Sequence, residues 1–160
     1  MFLAKVLQTS KFRNAQHQLM LHMLYTRSVL HLEQKRRLKP LNITPEQYNI
    51  LRILRGQNGK PMALNDLTCR MIDPTSNASR LVEKLRTKGL VTRKASRMDR
   101  RRVDVTLTPN GTQCVEAATA QLMEIERMFE AAIPENLADA MNSALDAYHE
   151  ARLANETTNQ

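Results

Sequence analysis

Glycine is scarce, at 4 of 160 residues, and no apolar run approaches the length needed to cross a bilayer. With an apolar set rich in leucine, alanine and methionine, that scarcity points to a mainly helical fold. Cysteine is rare too. Cys69 and Cys114 lie far apart with no C-x-x-C spacing, which argues against a disulfide framework or a zinc ribbon. Two reduced, partly buried thiols are the simpler expectation. The start, MFLAKVLQTSKF, is interrupted by Lys5 and lacks the apolar stretch of a secretion signal, so a cytoplasmic protein with no membrane association is expected. Repeats and low-complexity tracts are missing, apart from a short polar tail. There is no glycine-rich phosphate loop, no nucleophile–base arrangement and no paired His/Glu spacing, so neither an enzyme nor a cofactor is expected. His17, His22 and His31 are separated by five and nine residues, which is not a ligand-pair spacing, and no metal site is expected.

What is present is charge, unevenly spread. The net charge is +8. From Arg80 to Arg102 there are ten lysines and arginines against two acids, whereas from Glu116 onward nine acids face two arginines. A chain so polarised has one region suited to a polyanion and another suited to something else. The run SRMDRRRVDVTLT (Ser96 to Thr108) concentrates the effect, since like charges crowded beside a strand pattern call for a partner of opposite sign.

The periodicities give an order of elements. Phe12, Ala15, Leu19, Met23, Thr26 and Leu30 recur at steps of three and four, predicting a helix over 11–38 that Pro40 stops. Thr44-Pro45-Glu46-Gln47 has the hydroxyl, proline and glutamine of a capping box, opening a helix that ends near Gly56. A turn at Gly59-Lys60-Pro61 precedes a short helix with Leu64, Leu67 and Met71 inward. Asp73 before Pro74 suits an N-cap, and the next helix runs to about Lys88 with Ala78, Leu81, Val82 and Leu85 toward the core. Gly89 stands in the C-cap position. Leu90 to Arg93 reads as a strand, Arg97 to Arg102 as a charged loop, and Val103, Val105 and Leu107 as a half-buried returning strand. Two further helices follow, one carrying Val115, Ala118, Leu122, Ile125, Phe129 and Ile133, the other Leu137, Met141, Leu145 and Tyr148, with Pro134 between them. The fold class expected is mainly α with a small β-hairpin, a winged helix-turn-helix flanked by N- and C-terminal helices.

That order brings one constellation together. A helix fits the major groove, and small polar residues near its start approach base edges without clash. Ser76, Asn77, Ser79 and Arg80 have that composition, and Asn pairs with adenine and Arg with guanine in bidentate fashion. Lys84, one turn on, and Lys88, Arg93 and Lys94 are expected as phosphate neighbours or solubility charges rather than base readers. Arg97, Arg100, Arg101 and Arg102 would place a basic hairpin tip beside the minor groove. Asp99, the lone acid there, is expected to pair with a neighbouring arginine and shape the loop.

Asp99-Arg100-Arg101 followed by Val103, Val105, Leu107-Thr108 and Gly111 resembles the wing signature of the multiple-antibiotic-resistance regulator (MarR) family, in which D-x-R leads into an alternating strand and L-T-x-x-G. ITPEQYNILRIL resembles that family's second helix, and SNASRLVEKLRTKGLV its recognition helix and exit strand. Two positions depart from the pattern: Ala63 stands where a hydroxyl cap is common, and Asp104 replaces a commonly apolar residue. The resemblance implies a homodimer. A dimerisation helix lies in 1–40, the DNA-binding domain in 41–109 and further dimerisation helices in 110–160, with two recognition helices roughly 34 Å apart on a pseudo-palindromic double-stranded DNA operator. It makes Arg101 the minor-groove candidate, and implies a repressor relieved by a small effector, here apolar or phenolic. The nine methionines are expected as core filler rather than a ligand box; Tyr25 and Tyr48 are the aromatic residues that could line an effector pocket. The alternative is a winged helix serving protein assembly, against which the density of cations argues.

Overall fold

The computed structural model describes residues 2–9, 11–95 and 102–158. They divide into two compact units, one reaching to Leu122 and one beginning at Met123. The first unit opens with a short helix, α1 (Phe2–Val6), not foreseen from the pattern; it buries Leu3 completely and sets Phe2 against Tyr25. The long helix, α2, spans Ala15–Leu38 rather than starting at residue 11. Asn14 determines the start: its side-chain oxygen accepts the His17 N–H at 2.8 Å, satisfying an orphan donor of the first turn. Of α2's side chains only Leu38 is buried.

The capping box expected at Thr44 is present. Gln47 N–H donates to Thr44 Oγ1 at 3.3 Å, and Thr44 N–H donates to Gln47 Oε1 at 3.2 Å, opening α3 (Pro45–Arg55). Its wide apolar face buries Tyr48, Ile50, Leu51, Ile53 and Leu54. Next comes a two-residue strand, β1 (Met62–Ala63), then α4 (Leu64–Cys69), α5 (Ala78–Thr87), β2 (Val91–Ala95) and β3 (Val103–Leu107). The sheet is three-stranded and antiparallel in the order β1-β3-β2, so the expected hairpin gains a strand. Met62 pairs with Val105, and Val91 with Leu107. Ala63 begins α4 with no side-chain cap, as its lack of a hydroxyl implied. Met71 is buried as expected but lies beyond α4.

α5 starts later than Asp-Pro suggested. Asn77 is the N-cap, its Oδ1 accepting the Arg80 N–H at 3.0 Å. Asp73 instead closes a local turn, accepting from Thr75 N at 3.1 Å and from Thr75 Oγ1 at 2.6 Å. Ala78, Val82 and Leu85 are buried, while Leu81 remains partly exposed. The far end is a Schellman motif: Gly89 N–H donates to the Arg86 carbonyl (2.9 Å) and Leu90 N–H to the Leu85 carbonyl (3.0 Å), with Gly89 at φ +70°.

α6 (Pro109–Ala132) follows the sheet. Its first part buries Gly111, Val115, Ala118 and Leu122, and Tyr48 Oη lies 3.1 Å from Thr119 Oγ1, joining α3 to α6. Thr108 N–H donates to the Leu90 carbonyl, Thr108 Oγ1–H to the Gly89 carbonyl at 2.7 Å, and Gly111 N–H to Thr108 Oγ1 at 3.0 Å. The glycine of the L-T-x-x-G segment is thereby explained. A Cβ on Gly111 would lie 2.0 Å from the Leu90 carbonyl oxygen, a backbone atom that cannot swing away. The second unit holds the end of α6 and α7 (Glu135–Thr158), with no buried residue in α7. Among the described residues no helix is long and apolar enough to cross a membrane.

Gly111→Ala is expected to destabilise the protein by about 1–3 kcal/mol, the usual cost of forcing an atom into filled space. Thermal unfolding followed by circular dichroism would register a fall of several degrees; an unchanged midpoint would remove this account of the glycine.

Candidate nucleic-acid interface

α5 is strongly two-faced. Opposite Ala78, Val82 and Leu85 it exposes Asn77, Ser79, Arg80, Lys84 and Thr87, with Ser76 half-buried just before it. The sequence-derived candidates Ser76, Asn77, Ser79, Arg80 and Lys84 therefore share one accessible face beginning at the helix N-terminus. Within that set the side-chain oxygen of Asn77 is already taken by the Arg80 N–H.

Cations elsewhere on the surface are sorted by a few acids. Glu83 accepts from Arg86 Nη2 at 2.7 Å and faces Arg93 at 3.5 Å. Hydrogen bonding from Arg86 holds the Glu83 carboxyl below its ordinary pKa, Coulombic attraction from both arginines adding to it, so this acid stays ionised. Lys88, expected to be a phosphate neighbour or a solubility charge, has structural work: its Nζ donates to the Asn42 carbonyl and, at 3.1 Å, to Oε1 of the buried Gln47. No ion pair engages Arg80 or Lys84 among the described residues. The cations left unmatched thus include those on the exposed face of α5.

At the base of the β2–β3 connection, Arg102 Nη2 lies 3.0 Å from Asp66 Oδ2 in the first turn of α4. Sequence reading had Arg102 as a DNA contact and overlooked Asp66, which lies 36 residues away with no local signal to find it. Arg97, Asp99, Arg100 and Arg101 lie outside the described residues. Asp104 stands opposite Lys94 in the strand register.

No group of three or more potential metal ligands gathers among the described residues. The two cysteines differ. Cys69 is exposed at the end of α4, against the expectation that both thiols are partly buried, whereas Cys114 on α6 is partly buried. Burial raises the Cys114 thiol pKa, and Lys88 offsets this only in part. Of the candidate pocket residues, Tyr48 is committed to Thr119 and Tyr25 to Phe2.

Two outcomes follow from this geometry. Asp66→Ala makes the protein more positive, yet it is expected to weaken duplex DNA binding severalfold at low salt, because Arg102 loses its anchor; tighter binding in a fluorescence titration would refute that role. A disulfide reagent at neutral pH is expected to modify Cys69 well before Cys114, and the reverse order by mass spectrometry would contradict the burial described.

Known proteins bear on this geometry. Residues 43–111 match the family described as winged helix DNA-binding domain. No curated protein matches the chain. A MarR-family transcriptional regulator from Rhodococcus sp. RHA1 superposes with a TM-score of 0.69 at 18% identity, covering 86% of this chain and 96% of that one. MepR of S. aureus, solved as a DNA complex, gives a TM-score of 0.73 at 22% identity, covering 86% and 99%. CouR of Rhodococcus jostii RHA1, solved with p-coumaroyl-CoA, gives 0.70 at 18% identity, covering 86% and 95%. With the exposed polar face of α5 and the antiparallel strands beside it, these matches show a winged helix fold, residues 43–111 being similar to the winged helix DNA-binding domain family and the chain having the fold of solved MarR-family transcriptional regulators.

Proposed function

We propose that the protein is a homodimeric, sequence-specific transcriptional regulator, a repressor whose hold on DNA is relieved by a small apolar or phenolic effector. The observation that carries the DNA-binding part is the exposed face of α5, where Arg80 and Lys84 stand without an acidic partner among the described residues. Phosphate attraction supplies the affinity of such a surface, and the polar tip of the helix supplies its selectivity. Arg97, Arg100, Arg101 and Arg102 with Asp99 would form the wing that reaches the neighbouring groove. No catalytic role is assigned.

Exposed apolar side chains support pairing of two chains. Leu19, Met20, Met23 and Leu24 on α2 are all exposed, and so are Leu137, Met141, Tyr148 and Leu153 on α7. So many large apolar groups left in water favour burial against another protein surface. We assign residues 1–40 and 110–160 to dimerisation and 41–109 to DNA binding. A pair of α5 helices would then read a pseudo-palindromic operator. Effector control is proposed by analogy with CouR, whose structure holds p-coumaroyl-CoA. A regulator acting on chromosomal DNA would reside in the cytoplasm.

A gel-shift assay against the promoter region beside its own gene tests the reading. Retarded duplex is expected, with log affinity falling against log salt at about −0.9 per phosphate neutralised. Replacing Arg80 and Arg101 together by alanine is expected to weaken binding at least tenfold. Light scattering is expected to give twice the chain mass of 18.3 kDa. A monomer, or no shift with any duplex at low salt, would overturn the proposal.

A further inference from the structure

We propose that Asn77 is a positioning residue of the DNA-contacting helix, and that base preference beneath the tip of α5 is set by Arg80 at a guanine rather than by Asn77 at an adenine. This rests on the DNA-binding reading above and specifies which base edge that site takes.

A backbone N–H can bond only the oxygen of a primary amide. The 3.0 Å contact from Arg80 N therefore commits Asn77 Oδ1 to the helix. Bidentate recognition of adenine needs that same oxygen to accept from N6 while the amide nitrogen donates to N7. The oxygen keeps a second lone pair, but the cap fixes the orientation of the amide, so a bidentate pair with adenine would require turning it away from Arg80 N. Turning it toward a base would also undo the N-cap, worth roughly fivefold in a folding equilibrium. The tip has no ready replacement for that cap: Asp73, four residues earlier, is engaged with Thr75.

The residue whose N–H Asn77 holds is Arg80, so the cap fixes the backbone from which the arginine projects. Its guanidinium is exposed and has no ion pair among the described residues. Arg86 and Arg93, the other forks near this helix, are occupied by Glu83. Lys84 offers a point charge rather than a planar fork. A guanidinium donating to O6 and N7 matches guanine. Ser76 and Ser79 hydroxyls both donate and accept, and so do not discriminate between the purines.

Selection of full-length protein against a random duplex pool tests the assignment. Asn77→Ser retains a capping oxygen on a shorter side chain, and Asn77→Thr is a second capping variant should the first fold poorly. Both are expected to enrich the same sites as the unmodified protein, with affinity within about threefold. Asn77→Ala is expected to bind about fivefold more weakly at an unchanged preferred sequence, and the serine variant to restore it. Arg80→Gln is expected to erase the preference for one guanine in each half-site. Loss of an adenine preference in both capping variants would overturn the assignment while leaving the DNA-binding reading intact, as would an unaltered preference in Arg80→Gln. An unmodified protein that enriches no sequence would overturn both.

Discussion

The orientation of α5 depends on a small knot of hydrogen bonds at its far end. Gly89 and Leu90 close α5, and their carbonyls receive the hydroxyl and N–H of Thr108, which leaves β3. The same hydroxyl oxygen accepts from Gly111, at the start of α6. Three elements are thus tied at one point, and close approach there excludes any side chain at residue 111. Without this junction the buried stripe of α5 would still have apolar neighbours, but its angle to the sheet and to α6 would be loosely defined. Apolar burial is non-directional, whereas hydrogen bonds to particular carbonyls are directional.

Charge is distributed by the same kind of local logic. The segment from Arg80 to Arg102 is densely cationic, yet its members are not equivalent. Glu83 occupies Arg86 and Arg93, Asp66 engages Arg102, and Lys88 bonds acceptors near α3. Exposed pairs of this sort add little to the stability of a fold. Their greater effect is geometric, since they decide which cations are held on the protein and which are left to solvent.

Much of the architecture was legible in the residues. The capping box at Thr44, the three-four spacing of the long helices, the glycine at the end of α5 and the alternation of Val103, Val105 and Leu107 all correspond to elements found. Other features lacked a local signal. Two residues are too few for a strand pattern, so β1 went unseen; only its pairing with β3 defines it. Asp73 and Asn77 are equally good caps on composition, and proline after Asp73 favoured the wrong one. The structure separates them because Thr75 satisfies Asp73 locally. The candidate site was legible as an exposed polar face of α5 but not in its pairing of charges. Which arginines are held by acids depends on contacts such as Asp66 with Arg102, whose partners are remote in sequence.

Lys88 carries a practical consequence. Its ammonium group holds the loop carbonyl of Asn42 and the buried amide of Gln47, the latter part of the cap that starts α3. A systematic survey that neutralises each surface cation in turn would score Lys88 beside its neighbours, although its removal loosens the scaffold beneath them. Heat-stability controls for every variant are what keep such a survey from mapping the foundation as though it were the façade.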